Sequence, residues 1–332
     1  MSLPPAADAD GSTFAEDIDR HRRELTVHCY RMLGSLDDAD EAVQETLLAA
    51  WRSRAGFEGR SSLRAWLYRI ATNVCLRLAE RRPARMLSWD LTPARDPGGD
   101  LGDPVQDGVF LDPWPEQAAD PAALYGRKET IELAWVAALQ HLPPNQRAVL
   151  VLRDVLAFSA AETAELLGTS VPSANSALQR ARATLDDRAP QRSQQDERRS
   201  ADRGLVDAFV AAFERADVPA LLELLTADVR FTMPPLPAWF HGRDDVARFY
   251  ADRVFATRWR QVRIADANGQ PAVLGYSQQD GELRLGALQV LSLRQGRVDW
   301  IASFLEPGML RRLGQPEVFD ERHGQAAPHR GA

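Results

Sequence analysis

The stretch between Ser35 and Arg82 decides the fold of the N-terminal part of the chain: SLDDADEAVQETLLAAWRSRAGFEGRSSLRAWLYRIATNVCLRLAERR. Its apolar residues recur at intervals of three and four, which is the spacing of an amphipathic helix, in two runs separated by a glycine-containing loop. Ser35 stands three residues before Asp38, at the spacing of a capping box. Ser61 or Ser62 precedes the second run in the same manner. The stretch therefore predicts two helices joined by a short loop.

The two predicted helices carry opposite charge on their exposed faces. The first presents acidic and amide side chains that repel one another unless a basic partner covers them: Asp37, Asp40, Glu41, Gln44 and Glu45. The loop and the second helix present cationic, aromatic and hydrogen-bonding groups: Phe57, Gly59, Arg60, Ser61, Arg64, Arg69, Asn73 and Arg77. Such groups suit a surface that follows a nucleic-acid backbone and reads bases. Taken alone, either charge run also fits an ordinary solvated helix face.

The order of residues in this stretch is more specific than its charge. The succession of DDADEAVQET, a tryptophan, FEGRSSL and then WL, I-A and N closely resembles region 2 of sigma-70-family factors of the extracytoplasmic function group. The resemblance implies that the acidic helix docks on the clamp helices of RNA polymerase. It also implies that the loop and the second helix capture and melt the promoter −10 element.

Composition fits a multidomain globular protein. The chain has 332 residues, of which 45% are hydrophobic and 26% charged, enough for two or three domains with real cores. The start MSLPPAADADGS lacks the features of a signal peptide, and no apolar run approaches a membrane span, so we expect a cytoplasmic protein that does not contact a membrane. Cys29 and Cys75 match no metal-ligand spacing and are expected to be buried thiols. We expect neither metal nor cofactor.

The charge is distributed unevenly along the chain, whose net charge is −7. Residues 1–19 hold five acidic side chains and no Lys or Arg, and residues 89–125 hold eight acidic side chains and one Arg. Residues 20–88 hold 13 basic and 8 acidic residues. The acidity therefore lies outside the segment that is predicted to bind DNA, and that segment is basic.

A second helical segment covers residues 126–189. Ser159 stands before Glu162 at capping-box spacing, Gly168 ends a short helix, and a longer helix follows from Val171. The outer face of that longer helix presents Ser173, Asn175, Ser176, Gln179, Arg180 and Arg182. A short helix, a glycine turn and a second helix with small polar residues at its start predict a helix-turn-helix over about 159–182. Asn and Gln can bond to adenine, and Arg to guanine or phosphate. The spacing alone also fits a helical hairpin in a bundle.

The order of residues in this second segment is again more specific than its spacing. LPPNQRAVLVLRDVLAFSAAETAELLGTSVPSANSALQRARATL resembles region 4 of the same sigma group, which reads the −35 element. Ala174 stands where the family commonly has a larger aliphatic residue. Pro172 lies in the first turn of the longer helix, where proline is tolerated. These departures bear on the −35 sequence preference more than on the fold.

From Gly204 two amphipathic helices are followed by strand-like alternation, as at Val298, Trp300, Ala302 and Phe304. Asp280-Gly281 and Gln295-Gly296 stand where hairpin turns are needed. An α+β domain is predicted. The segments FTMPPLPAWFHGRDDVARFY, ANGQPAVLGY, LQVLSL and VDWIASFLEP resemble the SnoaL-like polyketide cyclase branch of the nuclear transport factor 2-like superfamily, whose cone-shaped fold encloses a pocket.

Candidate lining residues of such a pocket are Trp239, His241, Trp259, Asp266 and Trp300. Enzymes of the superfamily use a pocket carboxylate to move a proton next to a carbonyl. No acid here lies in a matching motif, so we assign no catalytic residue and expect a regulatory domain. It would change how readily the two DNA-binding modules open onto polymerase, and a small apolar ligand in the pocket would bias that equilibrium.

The predicted architecture is multidomain, with two all-α helical domains and a C-terminal α+β cone-shaped SnoaL-like domain. Its parts are a disordered acidic tail (1–19), the region 2 segment (20–86), an acidic Pro/Gly linker (87–125), the region 4 segment (126–189), a hinge (190–203), the SnoaL-like domain (204–318) and a flexible tail (319–332). Val109, Phe110, Leu111 and Trp114 are unusual in a tether. The linker is therefore either a solvated spacer or a segment that docks on a neighbouring domain or on polymerase.

The favoured function is that of a sigma factor that binds core RNA polymerase and promoter DNA and is monomeric when it is not bound to polymerase. One alternative is a free-standing helix-turn-helix regulator with a ligand-sensing domain, which would bind an operator as a dimer without polymerase. The other is a cyclase or isomerase fused to DNA-binding modules.

Overall fold

The computed structural model describes residues 14–57, 62–105, 108–115, 132–188, 199–264, 266–320 and 325–326. These residues form two compact units. The helical unit lies within Met1–Arg85 and Leu133–Pro190, and the sheet unit lies within Met86–Glu132 and Gln191–Ala332. The described part of the predicted linker therefore belongs to the sheet unit.

The helical unit contains the region 2 and region 4 segments. Its helices are α1 (Arg22–Leu33), α2 (Leu36–Arg52), α3 (Leu63–Arg81), α4 (Leu133–Gln140), α5 (Pro144–Leu150), α6 (Ala160–Leu166) and α7 (Val171–Arg188). A π-helical turn, Val151–Val155, continues α5. Residues 14–19 are also helical, so the last part of the predicted acidic tail is ordered by Ile18, which is buried.

Local signals place the ends of these helices as the sequence predicts. The Ser35 hydroxyl accepts a hydrogen bond from the Asp38 amide at 3.4 Å, and the Ser62 hydroxyl accepts one from the Ala65 amide at 3.1 Å. Ser159 and Glu162 form a complete capping box at the start of α6. These caps satisfy amides that have no partner within their own helix.

Arg147 joins the two segments at the centre of the helical unit. Its side chain is 4% exposed, and its guanidinium donates to the backbone carbonyls of Met32, Gln140 (3.1 Å) and Leu142 (3.1 Å). The Gln140 side chain accepts a further bond from Arg147 at 2.6 Å and donates to the Arg31 carbonyl at 3.3 Å. Carbonyls in the last turn of α1 attract a cation because they lack helical partners. Burial lowers the pKa of Arg147 to about 10, so it is charged at neutral pH.

The sheet unit is built on a six-stranded sheet of order β2-β1-β6-β5-β4-β3. Its elements are α8 (Arg199–Glu214), α9 (Val218–Leu224), β1 (Leu225–Thr232), β2 (Trp239–His241), α10 (Arg243–Phe249), β3 (Trp259–Arg263), β4 (Ala272–Gln279), β5 (Glu282–Arg294), β6 (Arg297–Phe304), α11 (Pro307–Arg312), β7 (Phe319–Asp320) and β8 (Gln325–Ala326). β1 and β6 pair parallel, and the other neighbours pair antiparallel. The predicted α+β class is confirmed.

Three predictions on the sheet unit are corrected or sharpened. Helix α8 begins at Arg199, inside the predicted hinge. The predicted flexible tail contains the β7–β8 pair, held by the ring of Phe319, which lies 5.4 Å from that of Tyr276. Asp280-Gly281 and Gln295-Gly296 do form the hairpin turns, with positive φ at all four residues.

The described linker residues dock on the sheet unit, which confirms one of the two interpretations of the linker. Trp114 and Asn268 exchange hydrogen bonds, since the Trp114 amide donates to the Asn268 side chain at 2.6 Å and the Asn268 amide donates to the Trp114 carbonyl at 2.8 Å. Phe110 and Leu111 are buried. Linker residues 116–125 lie outside the described residues.

His28 is a neutral group in the core of the helical unit. Its ring is fully buried, with Nε2 3.0 Å from the Thr72 hydroxyl and the ring edge-on to Tyr68. Burial, and then the charges of Arg31 and Arg64, lowers its pKa from 6.5 to about 3. At a pH between these two values, the His28 ring is therefore neutral in the folded chain and protonated in the unfolded chain.

This histidine predicts a loss of stability in mild acid. Between the folded and unfolded pKa values the unfolded state binds the extra proton, so the free energy of unfolding falls as pH falls, by about 2 kcal/mol between pH 7 and pH 5. His28→Gln should remove most of this pH dependence of the free energy of unfolding. Urea denaturation of the helical unit at pH 7 and at pH 5 would measure it. The control His241→Gln, at an exposed site, should keep the slope. An unchanged slope in H28Q would contradict the assignment.

Candidate polymerase and nucleic-acid interface

The predicted acidic surface forms one face of α2. Its five side chains are all exposed: Asp37, Asp40, Glu41, Gln44 and Glu45. The opposite face is buried through Ala39, Ala42, Val43 and Ala50. Helical spacing therefore brings together the residues that the sequence predicted to face a partner.

Two apolar side chains that the sequence analysis missed extend this surface. Leu48 is 55% exposed and Trp51 is 36% exposed, at the C-terminal end of α2. In the sequence pattern, both residues fall outside the apolar stripe that is predicted to be buried. This position was the signal that could have identified them as exposed. A face that combines like charges with exposed apolar groups suits a protein partner with basic and apolar groups.

Acidic residues of α2 also pair with arginines at the C-terminal end of α3 and just beyond it. Glu45 pairs with Arg77, and Glu41 pairs with Arg82 at 2.6 Å. Both pairs are exposed, so each contributes little to stability. Asp38 lies deeper and pairs with Arg82 and, at 2.5 Å, with Arg85. Arg77, which was predicted to bind DNA, therefore lies against the acidic helix.

Arg64 is engaged within the protein. It donates to Glu24 at 2.9 Å, and its guanidinium lies 4.8 Å from the ring centre of Tyr68 and 5.7 Å from that of Phe158. Tyr68 also donates to Glu24 at 3.1 Å. Burial alone would raise the pKa of Glu24, but hydrogen bonds from His21, Arg64 and Tyr68 lower it. Because Phe158 belongs to the region 4 segment, that segment covers part of the predicted −10 surface.

The other predicted −10 residues are accessible or lie outside the described residues. Arg69 and Asn73 are exposed on α3. Phe57 packs its ring 5.1 Å from Trp66. Gly59, Arg60 and Ser61 lie outside the described residues.

Helix α7 presents the predicted −35 surface as one exposed row: Ser173, Asn175, Ser176, Gln179, Arg180 and Arg182. Gly168, with φ of 61°, makes the turn between α6 and α7. A cleft of about 510 Å³ beside the row is also lined by Arg153, which the sequence analysis did not single out. Arg182 makes a two-pronged pair with Asp154 at 2.6 and 2.9 Å. Four uncharged polar side chains, Ser173, Asn175, Ser176 and Gln179, therefore share this face with Arg180 and Arg182.

The residues predicted to line a C-terminal pocket lie in two places. The rings of Trp239 and Trp300 are 6.2 and 4.9 Å from that of Trp89 in the linker, and His241 is 6.2 Å from Trp239. Trp259 instead packs 6.3 Å from Phe213 of α8. Alternate side chains of a strand point to opposite faces, so parity decides which face a tryptophan joins. Asp266 lies in the loop between β3 and β4.

Asp228 and Glu306 of the sheet unit have structural partners. Asp228 pairs with Arg294, whose hydrogen bond lowers the Asp228 pKa to about 2. Glu306 caps α11 by accepting from the Gly308 amide at 2.8 Å and from the Met309 amide. In the described ranges no group of three or more His, Cys, Asp or Glu residues is arranged to hold a metal ion. Nor does any helix in those ranges have the length and apolar character needed to cross a membrane.

Three family models match the chain in succession. The model of sigma-70 region 2 matches residues 18–84, that of sigma-70 region 4 matches residues 132–185, and that of the SnoaL-like domain matches residues 206–300. The matched ranges agree with the predicted order of domains.

Curated relatives and a solved structure extend this likeness over most of the chain. The ECF RNA polymerase sigma factor SigG of Mycobacterium tuberculosis is 41% identical over 322 residues, which cover 94% of this chain and 86% of that protein. SigJ of the same organism is 30% identical over 238 residues, covering 69% of each. The crystal structure of SigJ matches 89% of this chain and 98% of its own with a TM-score of 0.60 and 23% identity, which shows a shared fold. The chain belongs to the extracytoplasmic function RNA polymerase sigma factors and carries a C-terminal SnoaL-like domain.

Proposed function

We propose that the acidic face of α2 is the surface through which this sigma factor binds core RNA polymerase, and that α3 and α7 read the promoter. The exposed row on α2 carries the first part of the proposal. Its like charges favour a basic partner, and Leu48 and Trp51 add apolar area beside them. The exposed polar row on α7 supports the second part. The chain would act in the cytoplasm, where transcription takes place in bacteria.

The helical unit, as described, is a closed form. Arg147 and Gln140 attach the region 4 segment to the end of α1, and Phe158 covers Tyr68 and Arg64. The −10 and −35 elements lie about 25 base pairs apart, or about 85 Å along the duplex. Two segments in mutual contact cannot sit on both elements. The segments must therefore separate when the promoter is bound.

The SnoaL-like domain is proposed to regulate this opening rather than to catalyse a reaction. Asp228 and Glu306 are engaged in an ion pair and a helix cap, and the candidate pocket residues do not converge. The domain also holds the linker that joins the two DNA-reading segments. A small apolar ligand and a monomeric state without polymerase stay predictions. Turnover of an activated ketone by the purified chain would contradict a purely regulatory domain.

A free-standing helix-turn-helix regulator is the second candidate. It would bind an operator tightly without polymerase, whereas the covered Arg64 and the closed helical unit favour weak DNA binding by the free chain. Comparing DNA affinity with and without core polymerase separates the two functions.

The acidic face predicts a loss of polymerase affinity on neutralisation. Asp40→Ala, Glu41→Ala and Glu45→Ala together should weaken binding to core polymerase at least tenfold, about 1.4 kcal/mol, measured as Kd by fluorescence anisotropy. Folding should change little, because the pairs lost with Arg77 and Arg82 are exposed.

The matched control replaces three exposed acids of the sheet unit, Glu223, Asp244 and Asp252, by Ala and makes the same change of net charge. It should bind core polymerase like the unmodified chain. Equal affinity of the two triple variants would show that α2 is not the docking surface.

The closed form predicts a change in the opposite direction. If only open molecules bind core polymerase, the apparent affinity is reduced by the fraction that is open. Phe158→Ala removes the ring contact with Tyr68, about 0.5–1.5 kcal/mol, and should tighten core binding about two- to tenfold. General loss of stability would weaken binding instead. Phe319→Ala, a buried ring of the sheet unit, serves as control and should leave Kd unchanged.

A further inference from the structure

One face of the six-stranded sheet packs with the helices of the sheet unit around an apolar cluster. Phe231 lies opposite Phe240 and Ile301 in the strand register, so these three side chains share that face. The cluster, here called the aromatic cluster, contains six buried rings: Phe209, Phe213, Phe231, Phe240, Phe249 and Tyr250. Trp259, which was predicted to line a pocket, also packs against it. The aromatic cluster is therefore the apolar centre of this domain.

One side chain that packs against the aromatic cluster comes from the linker. It is Leu101, which is half-buried and is carried by a compact loop of residues 95–102, here called the plug. The plug closes through its own hydrogen bonds, since the Gly98 amide donates to the Asp96 carboxylate at 2.8 Å and the Gly99 amide donates to the Asp96 carbonyl at 2.9 Å. A loop that satisfies its own backbone in this way can leave its site as a unit.

Two arginines, on α10 and on the turn that continues it, hold the polar side of the plug. Arg248 donates to the Asp96 carboxylate at 3.2 Å, and Arg253 donates to the carbonyls of Gly98 at 3.0 Å and Gly99 at 2.5 Å. The side chains of Arg248 and Asp96 are 53% and 66% exposed, so their ion pair contributes little to stability. Another acid can therefore replace these oxygens on the two guanidinium groups at small cost.

The aromatic cluster also contains a hydroxyl that has no hydrogen-bond partner among the described residues, that of Tyr250. Tyr250 is 1% exposed, and the rings of Phe213, Phe231 and Phe255 lie between 5.5 and 5.7 Å from its own. Burial raises the pKa of Tyr250 far above its usual range, so the hydroxyl keeps its proton at neutral pH. A buried hydroxyl without a partner is uncommon, and an oxygen atom of a bound molecule would satisfy it.

The chemistry of the plug indicates which kind of molecule fits in its place. The plug presents an apolar side chain to the aromatic cluster, and a carboxylate and two carbonyl oxygens to a pair of arginines. Guanidinium groups bind carboxylates with short, charge-assisted hydrogen bonds. Small-molecule sites commonly combine an apolar lining with a few polar groups that fix orientation. An apolar molecule with an acidic end reproduces both kinds of contact.

We propose that the aromatic cluster binds an apolar carboxylic acid, which displaces the plug, places its apolar body where Leu101 packs and its carboxylate on Arg248 and Arg253. Tyr250 donates to an oxygen atom in the body of the acid. The acid binds only molecules whose plug has left, and it therefore increases their population. Its effect on transcription rests on the proposed function, because the plug belongs to the segment that joins the two DNA-reading segments.

The test measures the Kd of the full-length chain for a fluorescent methoxynaphthylacetic acid and for its methyl ester, which lacks the charge. The acid should bind about three- to tenfold more tightly than the ester. Arg248→Gln and Arg253→Gln together should remove this difference, because only the carboxylate uses the guanidinium groups. The control, Arg311→Gln with Arg312→Gln, removes the same charge from exposed positions on α11 and should keep the difference.

Two further variants test the apolar part of the site. Leu101→Ala should tighten binding of both probes about three- to tenfold, because the plug loses its apolar contact and competes less. Tyr250→Phe should weaken binding of both probes to a similar extent, because each carries the ether oxygen that accepts from the hydroxyl. Unchanged or weaker binding by L101A would contradict displacement of the plug, and unchanged binding by Y250F would contradict the position of the body.

Hydrogen exchange followed by mass spectrometry reports the displacement itself. The acid should speed exchange of the plug amides, such as that of Gly99, and leave the amides of β5 unchanged. Equal affinity for acid and ester in the unmodified chain, or binding of the acid without faster exchange in the plug, would overturn the proposal. These measurements need neither polymerase nor promoter DNA, so their failure is distinct from failure of the proposed function.

Discussion

The buried guanidinium of Arg147 is the interaction on which the closed helical unit depends. A charge removed from water needs several hydrogen-bond partners, and here they come from both DNA-reading segments, from the end of α1 and from the chain around α4. The hydrogen bonds of Arg147 are strong while water is excluded from them. When the segments part, water can take over every bond, so a polar contact of this kind can be opened more readily than an apolar interface of the same size. Such a contact suits the opening that the proposed function requires.

Several arginines of the region 2 segment are engaged by acids of the same segment, and the closed form adds only the Phe158 contact to Arg64. Arg64 is paired with Glu24 and covered by Phe158, while Arg77 and Arg82 are paired with acids of α2. In the proposed function, the acidic face of α2 has two sets of partners available to it, its own arginines and the polymerase. Exposed ion pairs are worth little, so exchange between the two sets is energetically inexpensive. In the proposed function, these contacts link availability of the DNA-reading surfaces to the state of the helical unit.

Features that depend on neighbours in sequence were predictable. The caps at Ser35 and Ser159, the turn at Gly168, the exposed rows on α2 and α7 and the two hairpin turns all follow from spacing and residue type. The family resemblance rested on similarly short stretches of sequence.

Features that depend on partners far away in the sequence could not be predicted in this way. Arg147 looked like one more polar helix position, and its burial is set by carbonyls far away in sequence. Trp89 drew no attention within an acidic linker, although Trp114 did. Trp239, Trp259 and Trp300 were assigned to one pocket because strand periodicity does not say which face meets the helices and which meets the linker. The partner of each face becomes known only when the whole sheet is assembled.

The proposed opening of the closed helical unit on promoter binding can be measured directly. Labels attached through Glu80→Cys and Glu165→Cys, at exposed positions on α3 and α6, would report the separation of the two segments by double electron–electron resonance. The native Cys29 and Cys75 are buried and should not react. We expect a short distance between the labels in the free chain and a much longer one in the complex with core polymerase and promoter DNA. The same short distance in both states would contradict it.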